Sequence, residues 1–239
     1  MSRGRGQGKG QRAAKSGTRR MSQRVKTAKG RKVSSTLWLQ RQLNDPYVAE
    51  ARRLGYRSRA AFKLIELDDR FHFLAPGGRV VDLGAAPGGW TQVAVERTKA
   101  AQGSGQVVAI DIVEMDPVPG SIVLHHDFFD TDASLALKNT LAGPADVVLS
   151  DMAAPTTGHT ATDHLRIIGL AEVALAFAAE VLAPGGTLIA KVLQGGTEHT
   201  LLTEMKRLFA TVKHAKPPSS RSDSAELYVV AQGFRGVTE

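Results

Sequence analysis

VVDLGAAPGGWTQ, from Val80 to Gln92, carries the decisive pattern of this chain. An apolar run of strand length ends at Gly84, two more glycines follow at Gly88 and Gly89, and a helical stretch then continues from Trp90 to Lys99. Small residues let a backbone approach a ligand closely, and a helix N-terminus offers unpaired N–H groups to a carboxylate or phosphate. Pro87 stiffens the turn and removes one such donor. The spacing is GxxxGG, not the GxGxxG of dinucleotide-binding turns. That spacing, and the lack of hydride-transfer machinery, weigh against a nicotinamide site. Asp111 closes the next apolar run, in AIDI, where a carboxylate can accept hydrogen bonds from both hydroxyls of a ribose. Asp127 closes the third, in HHDFF, within reach of an adenine amino group. Ligands of such sheets bind beyond the carboxyl ends of the strands, where these residues converge.

Outward from this segment the chain alternates. Strand-like runs are expected at 79–84, 106–112, 121–126, 146–152, 187–193 and 226–231, with helical stretches at 90–99, 132–141, 163–182 and 197–208. Two helices precede them, at 45–54 and 58–71, the second with Ser58 as its expected N-cap and Ala61, Leu64, Ile65 and Leu67 as its apolar stripe. Alternating strands and helices imply a mostly parallel sheet covered on both faces. The run 211–217 is expected to pair with 226–231 as a hairpin, which makes an antiparallel edge. The expected fold is therefore α/β and doubly wound.

Composition narrows the function. With no cysteine, disulfides, thiolate metal sites and cysteine nucleophiles are absent. The longest apolar stretch, Leu170–Pro184, is interrupted by Glu172 and Glu180 and falls short of the ~18 residues that span a bilayer. No secretory signal is evident, and the cytoplasm is the expected compartment. The net charge of +8 is unevenly placed. Residues 1–44 hold 13 Lys/Arg and no acid, whereas the remainder holds 18 Lys/Arg against 23 Asp/Glu. The segment 1–33 is rich in Gly, Ser and Gln and has too few large apolar residues to fold alone. It reads as a disordered basic arm, with 34–239 as the folded domain. Three uses compete for it: binding a polyanion through counterion release, keeping the chain soluble, or serving as a transit peptide.

Four further pieces stand out: RSRAAFKL (Arg57–Leu64), LSDMAAP (Leu149–Pro155), IAKVLQG (Ile189–Gly195) and KPPSSRSDSAELYVV (Lys216–Val230). With the glycine turn, they resemble the FtsJ family of RNA 2′-O-ribose methyltransferases, and more narrowly its bacterial branch acting on large-subunit ribosomal RNA. The resemblance covers roughly residues 34–233. It implies a Rossmann-like S-adenosylmethionine-dependent methyltransferase fold. It also implies a catalytic tetrad at Lys63, Asp151, Lys191 and Glu226, and cofactor contacts at Gly88, Trp90, Asp111, Asp127 and Asp151. One departure is visible, since Ala154 and Pro155-Thr156-Thr157 follow the SDM motif where the family often has Asn and Met. The implied substrate is a uridine in the A-loop of 23S ribosomal RNA within the large subunit. No metal, no membrane and no protein partner are expected, and a monomer is.

Lys191 is conspicuous without any resemblance, being a lysine inside the apolar run TLIAKVLQG. Lysine is rarely buried unpaired, and Asp151 at the neighbouring strand end is its natural partner. Lys63 alone reads as a surface helix lysine and Glu226 alone as an edge-strand carboxylate. As a base, Lys191 would take the proton of a ribose hydroxyl; as a cation it would stabilise the developing alkoxide. Asp151 and Glu226 would orient it. Other readings are the same chemistry on transfer RNA or an RNA cap, a non-catalytic RNA-binding assembly factor, and a nicotinamide-dependent oxidoreductase.

Overall fold

The computed structural model describes residue 30, residues 33–195 and residues 199–236. The basic arm at 1–33 therefore lies almost wholly outside the described residues, as does the expected helix start at Thr197. The chain divides at Asp45 into two units. In the first, the described residues form helix α1 (Val33–Asn44), which the sequence did not announce: its leucines give no continuous apolar stripe.

The second unit begins with α2 (Pro46–Leu54) and α3 (Ala60–Phe71). It continues through β1 (Arg79–Leu83), α4 (Gly89–Thr98), β2 (Gln106–Asp111), β3 (Ile122–His125), α5 (Ala133–Thr140) and β4 (Ala145–Ser150). Next come α6 (Thr160–Val181), β5 (Leu182–Leu193), α7 (His199–Leu208), β6 (Phe209–Ala215) and β7 (Glu226–Phe234). The seven strands form one sheet in the order β3-β2-β1-β4-β5-β7-β6. The first five are parallel. The hairpin forms the expected antiparallel edge, with β7 reversed between β5 and the outermost β6.

Alternation along each strand sorts two cores. Val81, Leu83, Val108, Ile110, Val148, Leu188 and Ala190 face α5, α6 and α7. Val80, Val107, Val147, Leu149, Ile189 and Val230 face α3 and α4. Because both faces are covered, the central strands are near-continuous apolar runs, which is why the sequence announced them. Among the described residues no helix is long and apolar enough to cross a membrane.

Ser58 is not the N-cap of α3. That position belongs to Arg59, with no side-chain capping bond, and Ser58 instead packs against Gly89. The other end of α3 closes on His72 in the left-handed region, and the buried Asp68 accepts from the N–H groups of Phe73 and Leu74.

Candidate active site

β1 runs into Gly84, whose φ is 74° and whose N–H bonds to the Ile110 carbonyl near the end of β2. A Cβ at Gly84 would stand 2.9 Å from the Met152 Cα, so only glycine lets the β1 turn lie against the segment after β4. Gly88, at φ 103°, starts α4. Its first-turn N–H groups, those of Gly89, Trp90 and Thr91, have no acceptor within the helix.

Asp111 ties this turn to β2. Its carboxylate accepts from the N–H of Ala86 at 2.8 Å and of Val113 at 2.7 Å. Asp127 lies just beyond β3 and accepts from the N–H of Phe129. Both acids line one cleft of ≈ 520 Å³ with Gly84, Ala86, Asp151 and Met152. The cleft sits at the carboxyl ends of β1 to β4, where a ligand of such a sheet belongs. The expected contacts Gly88 and Trp90 do not line it. The Trp90 ring is 3% exposed, donates from Nε1 to the Ala60 carbonyl and packs 5.5 Å from the Tyr228 ring. What Trp90 can offer a ligand is its backbone.

Two buried oxygens flank the turn without hydrogen-bond partners among the described residues, Ser58 Oγ and Asp82 Oδ1. Asp82 lies under α4, where Thr91 Oγ1 donates to its other oxygen. Burial pushes the Asp82 carboxyl up to about 7, opposed by the Thr91 hydrogen bond and reinforced by the charges of Asp151 and Asp111. Acids at the β2 and β3 ends, both lining the cleft, suit an adenosine, and the free N–H groups of the first turn of α4 suit a carboxylate. The residues present fit an adenosine joined to an amino acid.

Sheet geometry assembles the second half of the site. Lys191 shares its β5 face with Ile189, and Glu226, Tyr228 and Val230 share one face of β7 by the two-residue period. Register sets Lys191 opposite Tyr228. α3 packs over that face and brings Lys63 down on it. The outcome is a continuous chain of polar contacts. Lys63 Nζ is 2.7 Å and 2.8 Å from the two Glu226 carboxylate oxygens and donates to the Tyr228 hydroxyl at 3.2 Å. That hydroxyl donates to Asp151 Oδ1 at 2.8 Å, and Lys191 Nζ lies 2.7 Å from the same oxygen. Lys191 Nζ also donates to the Asp151 carbonyl at 2.7 Å.

Burial opposes the charge on Asp151, but Lys191, Lys63 and the hydrogen bonds from Lys191 and Tyr228 prevail and hold the carboxyl below the usual range. Burial, then the Asp151 and Glu226 charges, raise the Tyr228 phenol well above its ordinary value, so it stays a neutral donor. Tyr228 is the member that sequence reasoning missed. An aromatic in an apolar strand reads as core; its place two residues from Glu226 was the available signal. Such buried ion pairs are costly to desolvate and are often replaceable by apolar residues without loss of stability, so stability alone does not account for this cluster.

His126, Asp130 and Asp132 each bring a ligand atom within 4.8 Å of the others, largely exposed.

The reversed β7 beside a parallel sheet, with the glycine turn under α4, defines a Rossmann-like methyltransferase fold. A crystal structure described as that of a ribosomal RNA methyltransferase from Plasmodium falciparum shares it, with TM-score 0.68 and 34% identity over 76% of this chain and all of that one. The family model described as FtsJ-like methyltransferase matches residues 56–234, and the chain belongs to that family. Two relatives bear the name Ribosomal RNA large subunit methyltransferase E. That of Paramagnetospirillum magneticum is 70% identical over 93% of this chain and 92% of its own length. That of Rhodospirillum rubrum is 63% identical over 95% and 86%.

If the cleft holds the adenosine, Asp111→Ala should weaken cofactor binding by about tenfold or more, the loss expected for charge-assisted hydrogen bonds of ~1.5–3 kcal/mol. Calorimetric titration decides this, and unchanged affinity would place the adenosine elsewhere.

Proposed function

We propose that this chain transfers a methyl group from S-adenosylmethionine to the 2′-oxygen of a uridine in the A-loop of 23S ribosomal RNA, within the large ribosomal subunit. One observation carries the reading. Lys191 spends two donors on Asp151, one on its carbonyl and one on its carboxylate, at the edge of a cleft suited to an adenosine. A neutral amine held by two N–H groups has a single direction left, that of its lone pair. Asp151 therefore aims Lys191 as well as pairing with it.

The cofactor, when bound, supplies a methyl group already activated on a sulfonium. Asp111 and Asp127 would hold its ribose and adenine, the first turn of α4 the carboxylate of its amino-acid end, and Asp151 borders it. The protein must then align the acceptor oxygen and take up its proton. Lys191 takes that proton; Tyr228 fixes Asp151, Lys63 fixes Tyr228, and Glu226 fixes Lys63. A cationic Lys191 would instead stabilise the alkoxide. The basic arm, 1–33, adds phosphate contacts that position the 34–239 domain without reading bases. The enzyme acts as a monomer, in the cytoplasm, with the large subunit as its partner.

Mapping ribose methylation in ribosomal RNA from cells with and without the protein tests the assignment. One A-loop uridine should lose its methyl group and regain it when the purified protein and cofactor are added to large subunits. Loss of a methyl group on transfer RNA instead, or no loss at all, would sink it.

A further inference from the structure

α3 does more than deliver Lys63. Arg59, Lys63 and Glu66 are spaced four and three residues apart, which puts them on one face of the helix. All three reach the loop between β6 and β7 or the strand it leads into. Ser219, in that loop, is 1% exposed. Its N–H and its hydroxyl both donate to Glu66 Oε2, at 2.8 Å and 2.6 Å. Its carbonyl accepts from the Arg59 guanidinium. Every polar group of Ser219 is thus answered from α3. The next residue, Ser220, donates from Oγ to Glu226 Oε1 at 3.1 Å, so the Glu226 carboxylate is held from one side by Lys63 and from the other by this loop.

We propose that Glu66, with Arg59, is a positioning residue for the Lys63–Glu226 pair, acting through Ser219 and Ser220. The proposal rests on the reading of that pair as part of the reaction centre. The sheet does not need this grip, since β6 and β7 are paired along their length from Phe209↔Phe234 to Ala215↔Tyr228 and the loop base is tied by Lys216 Nζ to the Ser224 carbonyl at 2.7 Å. What the grip sets is where Ser220 stands, and hence where the Glu226 carboxylate points. A shift of that carboxylate lets Lys63 and, through Tyr228, Asp151 relax from the arrangement that aims Lys191. Small misplacements of reacting groups reduce rate steeply.

The test is a set of variants assayed on large subunits, with cofactor affinity from calorimetry and stability from thermal unfolding. Glu66→Ala should lower kcat severalfold, by no more than Glu226→Ala does, with cofactor affinity and the acceptor KM within about twofold. Glu66→Gln keeps a carbonyl oxygen that can accept both Ser219 bonds and should restore most of the rate. Ser219→Ala reaches the same contact without touching α3 and should lower kcat less than Glu66→Ala, so a poorly folded Glu66→Ala does not end the test. In the Glu226→Ala background, Glu66→Ala should cost nothing further, because residues acting through one another are not additive. Wild-type kcat in Glu66→Ala, beside a slowed Glu226→Ala, overturns the proposal and leaves the reaction centre standing. Full additivity overturns it as well. Wild-type rates in Glu226→Ala and Lys191→Ala together overturn the reading beneath it.

Discussion

Lys191→Ala is expected to lower the turnover number by about 10²–10⁴, the range for loss of a general base or an alkoxide-stabilising donor. Its amine is 2.7 Å from both the carbonyl and the carboxylate of Asp151, and Lys191 itself does not line the cleft that holds Asp111 and Asp127. Cofactor affinity should accordingly stay within a few-fold of wild type. Asp151 keeps the Tyr228 hydrogen bond and the Lys63 charge in the variant, so the protein should fold with reduced stability. Lys191→Arg separates the two roles. A guanidinium retains the positive charge but cannot give up its proton at working pH, so it can steady an alkoxide and cannot act as base. Single-turnover assays on large subunits under saturating cofactor decide the matter. Retention of more than about a tenth of wild-type rate in Lys191→Ala would remove this residue from the reaction, and substantial activity in Lys191→Arg would remove only its role as base.

A second large effect concerns Asp82, which lies fully buried beneath α4 with one oxygen satisfied by Thr91 and the other without a partner among the described residues. Its folded carboxyl is pushed up to about 7. An unfolded aspartate titrates near ~3.9, so between those values the native state keeps a proton that the unfolded state has lost. Asp82 therefore favours folding least at high pH: its contribution is complete below the unfolded value, falls as pH rises through about 7, and is flat above. The gap between the folded and unfolded values is worth at most ~4 kcal/mol. Asp82→Asn removes the titration while preserving shape and an acceptor for Thr91. In the cofactor-free protein, the variant should unfold at higher temperature than wild type at pH 8, by a margin worth about 2–4 kcal/mol, and at nearly the same temperature at pH 4. Equal margins at both pH values would show that Asp82 is not protonated in the folded protein, and a destabilised variant at pH 8 would show that its charge is needed there.

The two halves of the site were legible to different degrees. Asp111 and Asp127 could be read because each closes an apolar run, and strand ends of a parallel sheet converge at one edge. Lys191 could be read because an ammonium inside TLIAKVLQG contradicts its surroundings and demands a partner. Lys63 and Glu226 carried no such contradiction, and only the resemblance singled them out. Trp90 was expected at the cofactor, and its ring packs in the core and donates to the Ala60 carbonyl, so only its backbone is left to meet a ligand. Ser58 was expected to cap α3 and instead sets its buried Oγ against Gly89.

What the amino-acid order determined by itself is local: the period of each strand and helix, the φ that only glycine adopts at the β1 turn, and hence a doubly wound sheet with a ligand edge. What the tertiary structure alone decided is the wiring of the proposed reaction centre. Lys63 and Glu226 are 163 residues apart, and Tyr228 meets Asp151 across 77. Their contacts depend on the β5–β7 register and on how α3 lies across it. Periodicity says which face a side chain takes, but it does not say which distant face will be packed against it.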